Sequence, residues 1–180
     1  LNRTLRKQLQ DLEIAKTIAE IVQSSLNAVD PTKCVLNALQ LKEDSILIGD
    51  QLLSLQSIDR ILLISIGKAA YAMAGAVRTV LRERISDGII VAKHLENTAQ
   101  YEWPSEFKIL IGGHPVPNPG SLIAGREIIQ LLGKTTPSDL VVFCISGGGS
   151  ALVTYPYEGI TLDDLQQVTK SLLACGASID

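Results

Sequence analysis

Four short apolar runs, at 61–66, 88–92, 107–111 and 139–145, constrain this chain more than any other feature of its sequence. Each is continuous rather than alternating, as in strands of a parallel sheet that are covered on both faces. The last run, Leu140 to Ile145, is led by Asp139 and reads as a buried strand. Helical patterns fall at 69–84 and at 121–132, the second with Ser121 as its cap. Strands interleaved with helices predict an α/β fold: a doubly wound, mostly parallel sheet with helices on both faces, a Rossmann-like three-layer arrangement.

The flanking segments fit that scheme less tightly. Residues 2–26 carry apolar positions at helical spacing with charge opposite, an amphipathic helix that packs on a neighbour. Asp30-Pro31 reads as an N-cap with proline at the first helical position, opening a helix to about Leu41. The stretch 46–55 is a strand or an irregular segment. A final helix spans 161–175, with Thr161 as N-cap and Asp164 at N3. No internal repeat, low-complexity segment or domain boundary is evident. The chain halts just past that helix, as an interrupted protein would.

Composition narrows the class of partner. Hydrophobic residues make up 46% and charged residues 19% of 180, with a formal net charge of −3, the profile of a globular protein rather than a polyanion binder. Nucleic acid is therefore not an expected partner, although a local phosphate site is compatible with the charge. Cys34, Cys144 and Cys175 form no CxxC or Cys/His cluster, which points to a reducing compartment without structural zinc. No signal-peptide pattern or membrane-length apolar run is evident, so a cytoplasmic protein with no membrane partner is expected.

In doubly wound sheets ligands bind beyond the carboxyl ends of the strands. Four loops rich in glycine, proline, lysine and histidine map to those ends: Gly67-Lys68, Lys93-His94, the loop from Gly112 to Gly120, and Ser146-Gly147-Gly148-Gly149-Ser150. Three consecutive glycines permit positive φ and close approach of a ligand to the backbone. Their successive N–H groups can form a concave anion site flanked by two hydroxyls, reinforced by a helix starting near Ser150. The competing reading is a tight strand–helix turn. Lys68 delivers a cation to the same edge, or is a solvated lysine. His114 leads a loop stiffened by Pro115, Pro117 and Pro119, and either contacts a ligand or bonds its own turn. Lys93 and His94 sit beside a polar loop and read as exposed. Asp139 lies at the opposite, amino end of its strand, as a turn or cap residue. Trp103 and the tyrosines are scattered and make no stacking platform.

Known nucleotide and nucleophile motifs do not match. A P-loop requires a glycine where Leu62 stands and Ser or Thr where Ala69 stands. The dinucleotide fingerprint fails at Ala69. The segment Gly148 to Leu152 lacks the closing glycine of a nucleophile elbow.

Four segments, in order, resemble the glycerate 2-kinase family, the class with a carboxyl-terminal MOFRL domain. They are Gly67-Lys68-Ala69-Ala70 with Met73-Ala74, Gly113-His114-Pro115-Val116-Pro117, Ser146 to Leu152 with Pro156, and Leu172-Leu173 with Gly176-Ala177. Asn118-Pro119 departs from the family's acidic continuation of that loop, and Cys144 replaces an aliphatic residue. The resemblance implies ATP-dependent phosphorylation of D-glycerate to 2-phosphoglycerate with Mg2+, in a cleft between two α/β domains. On that basis residues 1–180 correspond to much of the amino-terminal domain, with the MOFRL domain absent; the amphipathic first helix is expected to pack on that missing domain or on a second subunit of a homo-oligomer. Ser146 to Ser150 would hold phosphate, Lys68 would serve catalysis or the glycerate carboxylate, and His114 would line the site. Two other readings stay open: an oxidoreductase acting on hydroxypyruvate and glycerate, and a non-catalytic anion-binding module.

Overall fold

The computed structural model describes residues 15–95 and 103–177. The first half of the expected opening helix, 2–14, lies outside the described residues. In chain order the elements are α1 (Ala15–Ala28), α2 (Pro31–Ala38), β1 (Leu39–Lys42), β2 (Ser45–Ile48), β3 (Gln51–Ser54), β4 (Arg60–Ile66), α3 (Ala70–Leu81), β5 (Ile85–Ala92), β6 (Phe107–Ile111), α4 (Pro119–Leu132), β7 (Asp139–Ile145), α5 (Gly149–Leu152) and α6 (Leu162–Ala174).

The central sheet has the order β6-β5-β4-β7, with every pairing parallel. This is the expected α/β architecture. The chain winds outward from β4 to β5 and β6, then returns to the far side of β4 for β7. The winding direction thus reverses between β4 and β7, where such sheets open a crevice. One face packs Leu63 and Ile90 with Ala74 and Val77 of α3 and with Val35 of α2. The other packs Ile64, Ile89 and Val91 against Ala124 and Ile128 of α4 and Leu152 of α5. Each fully covered Ile, Leu or Val contributes about 1.5–3 kcal/mol of transfer free energy. The small residues of α3 bring it close to the strands.

The sequence expectations need correction at several points. Helix α2 has Asp30 as N-cap, its carboxylate accepting the Lys33 N–H at 2.9 Å. It stops at Ala38 rather than near Leu41, because Leu39 is already extended. Strands β1, β2 and β3 then form a separate antiparallel meander, with Leu39 opposite Ile48 and Ile46 opposite Leu53. Leu39 and Ile46 point into the α3-side core while Gln40 and Lys42 face out, a period of two that a four-residue strand barely displays. Helix α3 gives way at 82–84 to a 3-10 turn, and β5 begins at Ile85 rather than Gly88. Asn118, not Ser121, caps α4; Ser121 occupies N3 of a reciprocal capping box.

β7 is not the fully buried strand that its composition suggests. Among the described residues it is the outermost strand on its side of the sheet, with Phe143 47% and Ile145 65% exposed. Cys144, facing α3, is buried, and that burial pushes its thiol up to about 11. It is a core side chain and not a nucleophile.

The amino ends of β4 and β7 are fastened by charge. Arg60 donates from Nε to Asp139 Oδ1 at 2.9 Å and from Nη2 to Oδ2 at 2.6 Å. Thr136 N–H donates to the same carboxylate, so Asp139 is a turn residue as expected and an ion-pair partner besides. The Arg60 hydrogen bond first, and then the Thr136 N–H, hold the Asp139 carboxyl down at about 2, against an ordinary 3.8. A carboxyl depressed by folding stabilises the fold above its unfolded value and loses that effect as pH falls through its folded value. Asp139→Asn is therefore expected to lower Tm at neutral pH, with the gap to the parent chain closing as pH falls from about 4 to about 2. Thermal melts across that range check it, and a pH-independent gap would contradict it.

Candidate functional site

The turn after β4 is built from two constraints. The Ser65 hydroxyl, fully buried, donates to the Ala70 carbonyl at 2.8 Å and ties the strand to the first turn of α3. Gly67 has φ of +124°, and a Cβ there would collide with Ser146 Oγ. Only glycine lets the β4 and β7 turns lie this close.

Those two turns are stitched together. Ser146 N–H donates to the Ile66 carbonyl at 2.9 Å, Lys68 N–H to the Gly147 carbonyl at 3.0 Å, and Ala69 N–H to Ser146 Oγ at 3.0 Å. Ser146 Oγ also lies 3.4 Å from the Ile66 carbonyl. The two hydroxyls expected to flank an anion site therefore differ. The Ser146 hydroxyl is committed to holding the turn, whereas among the described residues the Ser150 hydroxyl has no partner and is exposed.

The glycine run itself is open. Gly148 is the N-cap of α5 with φ of +96°, and no heavy atom would meet a Cβ on Gly147 within 4 Å. Among the described residues the N–H groups of Gly147, Gly148, Gly149 and Ser150 donate to no protein acceptor. First-turn N–H groups lack an intrahelical acceptor in any helix. The helix expected to reinforce this spot is one four-residue turn, so the individual N–H dipoles, rather than a long macrodipole, supply the positive character.

His114 packs on that turn. A Cβ on Gly148 would lie 2.8 Å from its Cδ2 and 3.1 Å from its Nε2. Burial first, then the Lys68 and Lys93 ammonium groups, hold the His114 imidazole below its ordinary 6.5, so it is neutral at pH 7. The loop behind it is fixed by Ser121 Oγ, which accepts the Gly113 N–H at 2.9 Å and the Asn118 N–H at 3.1 Å. Asn118 Oδ1 accepts the Ser121 N–H at 3.1 Å, a capping role an aspartate would fill equally. From α6, Gln166 Nε2 donates to the Pro117 carbonyl at 2.8 Å.

His114, Pro115, Gly148, Ser150, Thr154 and the α6 side chains Leu165, Thr169 and Leu172 surround a cleft of about 450 Å³. The structure thus brings His114, Gly148 and Ser150 to one cavity. Lys68 does not line that cavity. It joins the site through its backbone bond to Gly147 and its field at His114, with its side chain exposed. Lys93, exposed as expected, also acts on His114, a proximity that strand order reveals and linear sequence does not. His94 is exposed and does not line the cleft. Among the described residues no group of three or more His, Cys, Asp or Glu is placed to hold a metal ion. No helix among them is long and apolar enough to cross a membrane.

The fold and this edge together define a Rossmann-like α/β domain with a glycine-rich loop of uncommitted N–H groups at its topological reversal. A family profile described as a domain of unknown function, DUF4147, matches residues 17–180, and the chain belongs to that family, whose members include proteins named glycerate 2-kinase. It is 34% identical over 171 residues to a D-glycerate 2-kinase of Thermotoga maritima, covering 94% of this chain and 37% of that protein. A solved structure from Pyrococcus horikoshii superposes with a TM-score of 0.75 at 33% identity, over 93% of this chain and 37% of that one. An Agrobacterium vitis protein provisionally named hydroxypyruvate reductase is 40% identical over 121 residues, 67% of this chain and 30% of its own length. The chain thus spans about a third of the length of the relatives it matches.

Proposed function

We propose that this chain is the amino-terminal α/β domain of a glycerate 2-kinase, which in the longer protein transfers a phosphoryl group from ATP to the 2-hydroxyl of D-glycerate. The observation that carries this reading is the juxtaposition of four uncommitted N–H groups, at Gly147 to Ser150, with the Lys68 turn and a neutral His114. Phosphoryl transfer demands little covalent chemistry of a protein and much positioning of charge. In this reading the N–H groups hold phosphate oxygens, and Lys68 neutralises charge on the transferring group or holds the glycerate carboxylate. His114, being uncharged, accepts a hydrogen bond from the attacking hydroxyl. The residues present fit a polyphosphate. Among the described residues no group of three or more His, Cys, Asp or Glu is placed to hold Mg2+, and none of these roles depends on one.

A coupled assay of ADP formation with D-glycerate tests the reading, run on this chain and on a longer protein that includes it. Glycerate-dependent ADP release by the longer protein is the expected result, with 2-phosphoglycerate as product. No release would remove the proposal. Release by the 180-residue chain alone would overturn the two-domain part of it. The hydroxypyruvate reductase reading has the name of the Agrobacterium relative in its favour. Against it, the turn after β4 carries Gly67-Lys68-Ala69 in place of a dinucleotide fingerprint. NADH oxidation with hydroxypyruvate decides between them.

A further inference from the structure

Lys93 is the first residue after β5, and β5 lies between β4 and β6. Adjacent strands are about 4.8 Å apart, so Lys93 emerges between the turn that carries Lys68 and the loop that carries His114. Backbone bonds fasten it there. The Val91 carbonyl accepts the Gly67 N–H at 3.1 Å, and the Ala92 carbonyl accepts the Gly112 N–H at 3.0 Å. Like Lys68, Lys93 helps hold the His114 imidazole below its ordinary value, in keeping with the neighbourhood that strand order gives it.

The distribution of counter-charge is the second observation. The ion pairs among the described residues are Lys16 with Glu20, Arg60 with Asp139, and Lys108 with Glu127. The last two lie toward the amino ends of the strands or beside them. At the carboxyl edge, neither Lys68 nor Lys93 pairs with a carboxylate among the described residues. Two ammonium groups beside one imidazole repel each other, and the positive potential they create attracts an anion from solvent.

We propose that Lys93 is an anion-binding residue of this site, and that it pairs with the second anionic group of a small ligand whose first is held by Lys68 and the glycine turn. The ligand class is a short molecule with two anionic groups on neighbouring carbons, such as a phosphorylated hydroxy acid. The identity of that ligand rests on the phosphoryl-transfer reading; the presence of a two-lysine anion site does not.

Calorimetric titration of the chain with 2-phosphoglycerate and, separately, with inorganic phosphate tests the assignment. Lys93→Gln is expected to weaken 2-phosphoglycerate binding at least about tenfold, and inorganic phosphate less, because a charge-assisted contact to the second group is lost. Lys93→Arg should retain most of the affinity, and Lys42→Gln, on the distant meander, all of it. In a His94→Gln background, where His114 is the sole imidazole, its NMR titration midpoint should rise on Lys93→Gln, a shift that a merely structural lysine would not produce. Unchanged 2-phosphoglycerate affinity in Lys93→Gln overturns the assignment and leaves the kinase reading standing. Binding of phosphate that depends on Lys93, without binding of 2-phosphoglycerate, supports the site and counts against the kinase reading. No binding of either anion to the parent chain overturns the inference, and the ADP assay then judges the kinase reading separately.

Discussion

Lys68→Ala is expected to lower kcat/KM for glycerate phosphorylation by the longer protein about 10²–10³-fold, the usual cost of removing one donor aimed at developing charge. The side chain is exposed, whereas the backbone is fixed by the Lys68 N–H to the Gly147 carbonyl at 3.0 Å. Alanine preserves that bond, so the substitution removes a charge and leaves the turn in place. Thermal stability should stay within about 0.5 kcal/mol of the parent, as for other exposed substitutions. A fall confined to kcat assigns Lys68 to the transferring phosphoryl group, and a rise in the KM for glycerate alone assigns it to the carboxylate. If kcat and both KM values are unchanged, Lys68 has no part in the reaction.

Gly148→Val is expected to abolish binding of ATP and of inorganic phosphate, and to cost about 1–3 kcal/mol of stability through backbone strain. Two effects coincide at this position. The φ of +96° is one that a β-branched residue resists, and the new Cβ would lie 2.8 Å from His114 Cδ2. The imidazole must move or the turn must open, and either change scatters the N–H groups. Gly147→Ala is the matched control: no atom stands within 4 Å of the added carbon, and its φ lies outside the positive range. It should fold as the parent does. Intact phosphate affinity in a folded Gly148→Val protein would show that the glycine turn does not hold phosphate.

Much of the fold is legible in the sequence because β4 and β6 carry their signal within a few residues. An unbroken apolar run bounded by glycine or polar residues has few other solutions. The meander is not legible, since β1 to β3 are four residues each, too short for period-two alternation to rise above a helical pattern. The burial of β7 is overestimated for a different reason. Composition reports that Leu140 to Ile145 suits a sheet interior, but not how many neighbours the strand has. At the site, Gly148 and Lys68 stand out as residue types in unusual places. The placing of Lys93 between the Lys68 turn and the His114 loop depends on the order β6-β5-β4-β7, and the contact of His114 with Gly148 depends on the loop after β6 crossing the sheet edge to the turn after β7. Strand order is a through-space property with no local signature. The Ser146 hydroxyl shows the opposite error: a residue typical of a ligand site proves to be committed to the turn, because Gly67 brings the β4 backbone within its reach.

The placement of β7 at the rim of the sheet has a consequence for how ligand and fold depend on each other. Among the described residues the strand has a single ladder partner, β4, and the contacts that clasp its carboxyl end reach back across 77 positions of sequence, from Ser146 to Ala69. Such a closure is entropically costly and is among the looser parts of a domain. An anion seated on both the Lys68 turn and the glycine turn would act as a lateral brace, supplying from solution the second neighbour that a rim strand lacks. At a hundredfold excess over its dissociation constant it would add about 2.7 kcal/mol to the folded state. The local part of that gain is concentrated at β7, so its amides should gain more protection from hydrogen exchange than those of β5, already enclosed by β4 and β6. Occupancy of the site and attachment of the rim strand are then two readouts of one equilibrium.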